Sequence, residues 1–97
     1  MRDHYYIYIM TNTYNTVLYT GVTNNLPRRV NEHRTGKGGK FTSQYRITKL
    51  VYFETVEDVR IALSREKQIK AGSRQKKVDL INQKNPEWRD LSIEYCS

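Results

Sequence analysis

The sequence predicts an α+β (mixed α/β) fold in which helices cover a small sheet, in the order β-β-α-β-α-α. Three segments contain strand-like runs of β-branched and aromatic residues, and three others show helical periodicity with capping residues. The strand segments are 4–10, 17–22 and 47–55, and the helical segments are 24–36, 56–70 and 74–82. The chain has 97 residues, which is enough for one domain with one modest core, so we expect residues 1–97 to form a single domain.

The first strand has apolar or amphipathic residues on both faces, which predicts a central position in the sheet. One face carries Tyr6, Tyr8 and Met10, and the other carries Tyr5, Ile7 and Ile9. The turn-forming segment TNTYNT leads directly to the second strand, so the two strands are predicted to form an antiparallel hairpin.

The first helix has signals at both ends. Asn24 or Asn25 is a candidate N-cap, Pro27 suits the first turn, and Gly36 can end the helix in the left-handed conformation. The residues spaced to share its buried stripe are Leu26, Val30 and His33.

The rest of the chain continues with less strongly marked segments. Residues 36–46 are rich in glycine and basic residues, and we expect a flexible loop there. The helix at 56–70 stops at AGS, and Ser73 caps the shorter helix that follows. In the closing segment 83–97, we expect Trp88 and Leu91 to pack back onto the core.

The helix at 56–70 carries an unexpected carboxylate. Its apolar stripe consists of Val59, Ala62, Leu63 and Ile69, and the position that would complete this stripe holds Glu66. A carboxylate on a core-facing stripe is costly unless it pairs with a cation or binds a metal. Glu66 is therefore either an edge residue paired with a nearby Arg or Lys, or a metal ligand.

The charge balance narrows the class of partner. Seventeen Lys and Arg against ten Asp and Glu give a net charge of +7 and a pI of about 9.7. This favours nucleic acid first and a membrane surface second, over a merely soluble basic protein. The single cysteine, Cys96, excludes an internal disulfide, and no Cys/His group has zinc-ligand spacing. Because the sequence shows no signal peptide and no bilayer-length apolar stretch, we expect a cytoplasmic protein that does not associate with membranes.

A family resemblance rests on two triplets and the residues that follow them. YIY at 6–8 and YTG at 19–21 are separated by ten residues. The later residues of the set are Arg29, ten positions after Tyr19, then His33, and finally Glu66 on a later helix. This ordered set resembles the GIY-YIG nuclease domain over about residues 3–82, and most closely the small stand-alone bacterial UPF0213 proteins. The resemblance implies a three-stranded antiparallel sheet flanked by helices.

The resemblance implies roles for three residues of the two triplets. Tyr19 matches the tyrosine that opens the second triplet and is our first choice for the phenol that activates water. Tyr8 matches the tyrosine that ends the first triplet, and is the second choice of base or otherwise a positioning group. Gly21 matches the glycine of the second triplet. Each of these residues also has an ordinary structural interpretation, as a strand aromatic or the end of a strand.

The resemblance also implies phosphate and metal chemistry. Arg29 matches the helix arginine, whose planar fork suits a phosphate oxygen. His33 matches a histidine of some members and would adjust Tyr19 or contact the phosphate, or would simply be a core histidine. Glu66 matches the glutamate that binds a single divalent ion, Mg²⁺ or Mn²⁺.

Two positions depart from the family pattern, and a third position is a candidate match to it. Tyr6 stands where the first triplet has glycine, and Val22 stands where some members have lysine after the second triplet. Asn82 is the nearest candidate for an asparagine that many members carry after the glutamate.

The remaining basic residues suit a nucleic-acid surface, or else a solvated face. They are Arg28, Lys37, Lys40, Arg46, Lys67, Lys70, Arg74, Lys76 and Lys77. Phe41 and Tyr45 are interleaved with them and could stack on bases. Nothing resembles a base-reading recognition helix, so we expect little sequence specificity.

Two classes of function follow. The first is a metal-dependent endonuclease that hydrolyses DNA phosphodiester bonds, selects DNA structures and acts in repair or recombination. The alternative is a nucleic-acid-binding or accessory module that keeps the fold without cleavage. In either case we expect a nucleic-acid partner, most simply DNA, a protein partner that supplies affinity or specificity, and a monomer or weak dimer.

Overall fold

The structure, a computed structural model, describes residues 4–96. Within this range the elements are β1 (Tyr5–Thr11), β2 (Leu18–Thr23), α1 (Leu26–Arg34), α2 (Lys40–Gln44), β3 (Lys49–Val56), α3 (Val59–Ala71), α4 (Arg74–Lys84) and α5 (Ser92–Tyr95). The α+β class and the predicted order of the longer elements are confirmed, and the short helices α2 and α5 are added to them.

The sheet has the strand order β2-β1-β3 and is antiparallel throughout, so β1 is central as predicted. In the hairpin, Tyr8 lies opposite Gly21 and Met10 lies opposite Tyr19. This register places Tyr8, Tyr19 and Gly21 on one face of the sheet, because side chains alternate along each strand.

Each face of the sheet carries its own hydrophobic cluster, and the predicted division of the β1 side chains is confirmed. The cluster beneath α1 contains Tyr8, Met10, Leu26, Val30, Ile47 and Leu50. The cluster beneath α3 and α4 contains Ile7, Ile9, Val51, Tyr52, Ala62, Ile69 and Ile81. The candidate site residues of β1 and β2 therefore lie on the α1 side.

The C-terminal segment is attached by hydrogen bonds to a bulge in β3. The register of β1 against β3 shifts between Ile9 and Met10, which leaves Val51 as an extra residue. The buried Asn85 amide donates to the Val51 carbonyl at 3.0 Å, and the Leu91 N–H donates to the Leu50 carbonyl at 2.7 Å. Trp88 and Leu91 pack against the two clusters, as predicted.

Asp90 completes this attachment and makes stability depend on pH. Burial alone would raise its pKa, but hydrogen bonds from Ser92 and the Leu50 N–H, with the charge of Arg34, hold the pKa below the usual value. The stabilisation is therefore present above the unfolded pKa and is lost as pH falls through the folded pKa. We expect Asp90→Asn to lower the unfolding free energy by about 1–3 kcal/mol at pH 7, with the difference shrinking below pH ~4, in urea titrations. A similar loss in Glu87→Gln, which alters an exposed carboxylate, would contradict this account.

The predicted flexible loop at 36–46 is wrong in its second half. Residues from Lys40 onward form α2, in which Thr42 is buried and its carbonyl accepts from the Ile47 N–H at 2.9 Å. Such a five-residue helix has too little periodicity to be recognised in sequence, because its stability comes from tertiary packing.

The predicted apolar stripe of α3 is also partly wrong. Ala62 and Ile69 are buried, but Val59 and Leu63 are 43% and 48% exposed. The row that faces the sheet runs from Ala62 through Glu66 to Ile69, and Val59 and Leu63 lie beside it. Among residues 4–96, no helix has the length and apolar character needed to cross a bilayer.

Candidate active site

Gly21 lets Tyr8 reach across the hairpin. A Cβ atom at position 21 would lie 2.5 Å from both Cζ and Oη of Tyr8, closer than real side-chain contacts allow. The glycine is therefore required by close approach, and the Tyr8 hydroxyl occupies the space that any other residue would fill.

Helix α1 brings two polar side chains to the Tyr8 hydroxyl. Asn25 caps the helix and Leu26 and Val30 bury its inner face, which directs Arg29 and His33 toward the sheet. The Arg29 Nε–H donates to Tyr8 Oη at 3.3 Å, and His33 Nε2 lies 3.1 Å from the same oxygen. Since arginine can only donate, the phenol proton is free to point to His33 Nε2, and this assigns the imidazole proton to Nδ1.

The Arg29 guanidinium is held at three points. Besides Tyr8, its Nη1 donates to the Glu32 carboxylate at 3.1 Å and its Nη2 donates to the Gly38 carbonyl at 3.2 Å. Burial works against the charge of Arg29, but the hydrogen bonds to Tyr8 and Glu32 outweigh it and raise the pKa further. The guanidinium is therefore permanently charged and oriented, with two of its five N–H donors outside these bonds.

The surroundings of the Tyr8 hydroxyl and the His33 imidazole keep both groups uncharged. Burial raises the pKa of Tyr8 to about 12, and the charges of Tyr19 and Glu66 act in the same direction, although Arg29 opposes them. Burial, followed by the charge of Arg29, lowers the pKa of His33 to about 4. At neutral pH, Tyr8 is a protonated phenol and His33 an uncharged imidazole. His33 is also only 2% exposed, so the expectation that it contacts a phosphate does not fit this arrangement.

Tyr19 packs against the trio of Tyr8, Arg29 and His33, and it is more exposed than the buried Tyr8 and His33. Its half-buried ring is 5.2 Å from the His33 ring and 6.4 Å from Phe41, which in turn is 4.8 Å from Tyr45. An open cleft of about 300 Å³ adjoins this aromatic row of Tyr19, Phe41 and Tyr45. The residues that line the cleft are Leu18, Tyr19, Thr20, Phe41, Lys70 and Lys77.

Glu66 reaches the site from the opposite layer, on α3. Its side chain is 16% exposed and pairs with Lys70 at 3.4 Å, which fits the ion-pair interpretation raised by the sequence. Its charge also contributes to the raised pKa of Tyr8, as the smallest of the causes. In the part of the chain that the structure describes, no group of three or more His, Cys, Asp or Glu could hold a metal.

A single carboxylate is still compatible with one kind of cation. Mg²⁺ keeps several water ligands and is commonly bound through one or two protein carboxylates. A largely buried Glu66 beside the trio fits such an ion, whereas it does not provide the ligand set of a zinc site.

The predicted basic residues lie in different surroundings. Lys70 and Lys77 line the cleft beside Tyr19, although the Lys77 ammonium also donates to the Gly72 carbonyl at 2.9 Å. Arg46 lines a different cavity behind His33, and Lys76 lines one between α3 and α4. The exposed members outside these three cavities are Arg28, Lys37, Lys40, Lys67 and Arg74.

Comparison with known proteins identifies the family. The model of the GIY-YIG catalytic domain matches residues 4–79. This chain belongs to the GIY-YIG family. A UPF0213 protein of Syntrophus aciditrophicus is 47% identical over 83 residues, which cover 84% of this chain and 93% of that protein. A UPF0213 protein of Haloquadratum walsbyi is 41% identical and covers 86% of this chain and 92% of its own length.

A solved structure has the same fold. The solution NMR structure of a UPF0213 protein of Bacillus halodurans matches with a TM-score of 0.58 and 28% identity, covering 97% of this chain and 99% of that one. The resemblance to the GIY-YIG domain and to UPF0213 proteins is thus confirmed. GIY-YIG proteins are a nuclease family, which implies a nucleic-acid substrate for this chain.

Two residues of this GIY-YIG site were absent from the sequence prediction. Glu32 accepts from Arg29, and Gly38 contacts both Arg29 and His33. The spacing of Glu32 three residues after Arg29 was the available signal for an ion pair on one helix face. Asn82, the candidate for the family asparagine, is exposed and accepts from Trp88 Nε1 at 2.8 Å.

Proposed function

We propose that this protein is a divalent-metal-dependent endonuclease that hydrolyses DNA phosphodiester bonds. The observation that carries the proposal is the hydrogen-bonded trio of Tyr8, Arg29 and His33, with Tyr19 packed against it at the edge of a lysine-lined cleft. Such a fixed guanidinium beside a less buried phenol suits the stabilisation of charge on a phosphate.

Tyr19 is the better candidate for the general base. Tyr8 holds its proton strongly, since its pKa is about 12 and its hydroxyl is engaged with His33. Tyr19 borders the cleft, where a water molecule and a phosphate can approach it. A phenol needs a nearby positive charge to act as a base near neutral pH, and Lys70 and Lys77 line the same cleft. In this proposal Tyr8 positions Arg29 and His33.

The other residues act on the phosphate and on the metal. An N–H group of Arg29 that is not bonded to Tyr8, Glu32 or Gly38 would donate to a non-bridging phosphate oxygen. Glu66 would hold one Mg²⁺ or Mn²⁺, which supplies Lewis-acid stabilisation of the phosphate and the leaving oxygen. The Lys70 ammonium contacts only Oε2 of Glu66, at 3.4 Å, so such an ion would share this carboxylate with Lys70 or displace it.

The biological setting is part of the same proposal. The family likeness supports selectivity for DNA structure and a link to repair or recombination. The net charge of +7 supports sequence-independent binding to phosphates, and a protein partner would supply further affinity. The Glu66–Lys70 ion pair favours a second candidate, a nucleic-acid-binding module without cleavage, because the carboxylate is already neutralised.

Cleavage of labelled branched, nicked and single-stranded DNA tests the proposal. Wild type and Glu66→Gln are compared with Mg²⁺, Mn²⁺ or EDTA, alongside binding titrations at two salt concentrations. We expect metal-dependent cleavage that is lost in Glu66→Gln while binding persists. Equal binding by both proteins with no cleavage of any substrate would instead support the binding module.

The aromatic row yields a separate prediction about binding. Phe41 and Tyr45 are 47% and 43% exposed beside Tyr19, so unpaired bases can stack on them. We expect Phe41→Ala to weaken binding of a single-stranded oligonucleotide by roughly 5- to 150-fold, or about 1–3 kcal/mol, in fluorescence anisotropy titrations. Tyr14 is 83% exposed and lies outside the row, so Tyr14→Ala serves as the control. Equal losses in the two variants would exclude stacking at Phe41.

A further inference from the structure

The glycine at position 38 makes two contacts with the candidate active site. Its carbonyl accepts from Arg29 Nη2 at 3.2 Å. A Cβ atom built on it would lie 2.4 Å from His33 Nδ1, 3.0 Å from His33 Cε1 and 2.9 Å from Thr42 Oγ1. The loop between α1 and α2 therefore closes against the imidazole at a distance that only glycine allows.

Backbone conformation does not account for this glycine. Gly36 and Gly39 in the same loop have φ values of +78° and +119°, which favour glycine, whereas Gly38 is not among the positive-φ residues. An alanine at position 38 would not be strained by a positive φ, so the main effect expected of the substitution is the contact of the added methyl group.

The imidazole cannot retreat from such a methyl group. His33 is 2% exposed, its Nε2 is held by the Tyr8 hydroxyl, and its ring lies 5.2 Å from the Tyr19 ring. Thr42 is equally buried, and its hydroxyl donates to the Gly39 carbonyl. The loop would therefore lift instead, and the Gly38 carbonyl would move away from Arg29.

We propose that Gly38 is a positioning residue of this site, because it lets the α1–α2 loop close over His33 and holds Arg29 toward Tyr8. Its contribution to catalysis rests on the proposed function, whereas its effect on His33 and Arg29 does not. The assigned tautomer adds a specific feature: the proton-bearing Nδ1 faces Gly38 and has no hydrogen-bond partner within residues 4–96. Contact with the loop backbone thus keeps water away from this nitrogen.

Two alanine variants distinguish the effect of a methyl contact with His33 from the effect of backbone strain in the same loop. Gly38→Ala adds a methyl group against His33, while Gly36→Ala adds one that meets only Ser43 Oγ at 3.6 Å but is strained by its φ of +78°. The ring nitrogens of His33 are followed by NMR as a function of pH, with His4→Gln assigning the second of the two histidines.

In wild type we expect a neutral His33 with its proton on Nδ1 that does not titrate above about pH 5, since its pKa is about 4. Gly38→Ala should shift both ring nitrogens and move the titration toward about pH 6.5 as the ring is exposed. Gly36→Ala should lower Tm by several degrees and leave the His33 signals in place. At saturating DNA, cleavage should fall roughly tenfold or more in Gly38→Ala only.

A double variant keeps the proposal testable if Gly38→Ala folds poorly. Removing the ring removes the two contacts with His33 and leaves the one with Thr42 Oγ1, so Gly38→Ala should lower Tm less in a His33→Ala background than in wild type. The proposal would be overturned if Gly38→Ala left the His33 signals unchanged and cleaved DNA within about twofold of wild type. It would also be overturned if Gly38→Ala lowered Tm equally in both backgrounds. If wild type cleaves no DNA, the proposed function fails, while the NMR and Tm comparisons still decide whether Gly38 positions His33.

Discussion

Arg29→Ala is expected to reduce DNA cleavage by about 10²–10³-fold, because it removes the oriented cation that would bind the phosphate in the proposed function. It should also lower the unfolding free energy by about 1–3 kcal/mol, since it leaves Tyr8 Oη and the Gly38 carbonyl without their donor. Single-turnover cleavage rates and urea titrations measure the two effects separately.

Two further variants control for charge alone. Arg29→Lys keeps the charge but cannot reproduce bonds to Tyr8, Glu32 and Gly38 together, so we expect it to remain strongly impaired. Arg60→Ala removes one positive charge from an arginine that is 88% exposed and pairs with Asp58. If Arg60→Ala lost as much activity as Arg29→Ala, net charge and not the geometry of Arg29 would explain the result.

Tyr19→Phe and Tyr8→Phe are expected to differ in kind. Tyr19→Phe should reduce cleavage by roughly 10²-fold or more with little change in stability, because it removes the proposed base from a half-buried ring. Tyr8→Phe should cost about 1–3 kcal/mol of stability, because it leaves His33 Nε2 buried without its partner. Both quantities are measured on each variant by cleavage assays and urea titrations.

The reverse pattern would change the assignment of the base. If Tyr8→Phe kept its stability and lost all cleavage while Tyr19→Phe stayed active, Tyr8 would be the proton acceptor despite its burial. Intact binding of DNA by both variants is the control that the cleft is still formed.

The sequence predicted those parts of the fold whose signals are local. The alternation in β1, the turn before β2 and the Asn25 cap of α1 each act over a few residues, and all three are present as predicted. Helix α2 and the outward rotation of Val59 and Leu63 depend on packing between distant segments, which no local pattern encodes.

The candidate site divides in the same way. Spacing was sufficient to bring Tyr8, Tyr19, Arg29 and His33 into one predicted site, because hairpin register and helix periodicity carry that information. The protonation of His33 could not be predicted, since it depends on burial and on the charge of Arg29 in three dimensions. The contact of Arg29 with Gly38 could not be predicted either, because it is made to a backbone carbonyl, a group that every residue carries.

The hydrogen bonds from Arg29 to Tyr8 and from Tyr8 to His33 all run in one direction. A proton leaving Tyr8 along this path would create an imidazolium beside a guanidinium, so the path is closed to net proton flow. With pKa values of about 12 for Tyr8 and about 4 for His33, the trio keeps a constant charge of one between roughly pH 5 and 11. A bend in the pH–rate profile within these limits would therefore come from a group outside the trio.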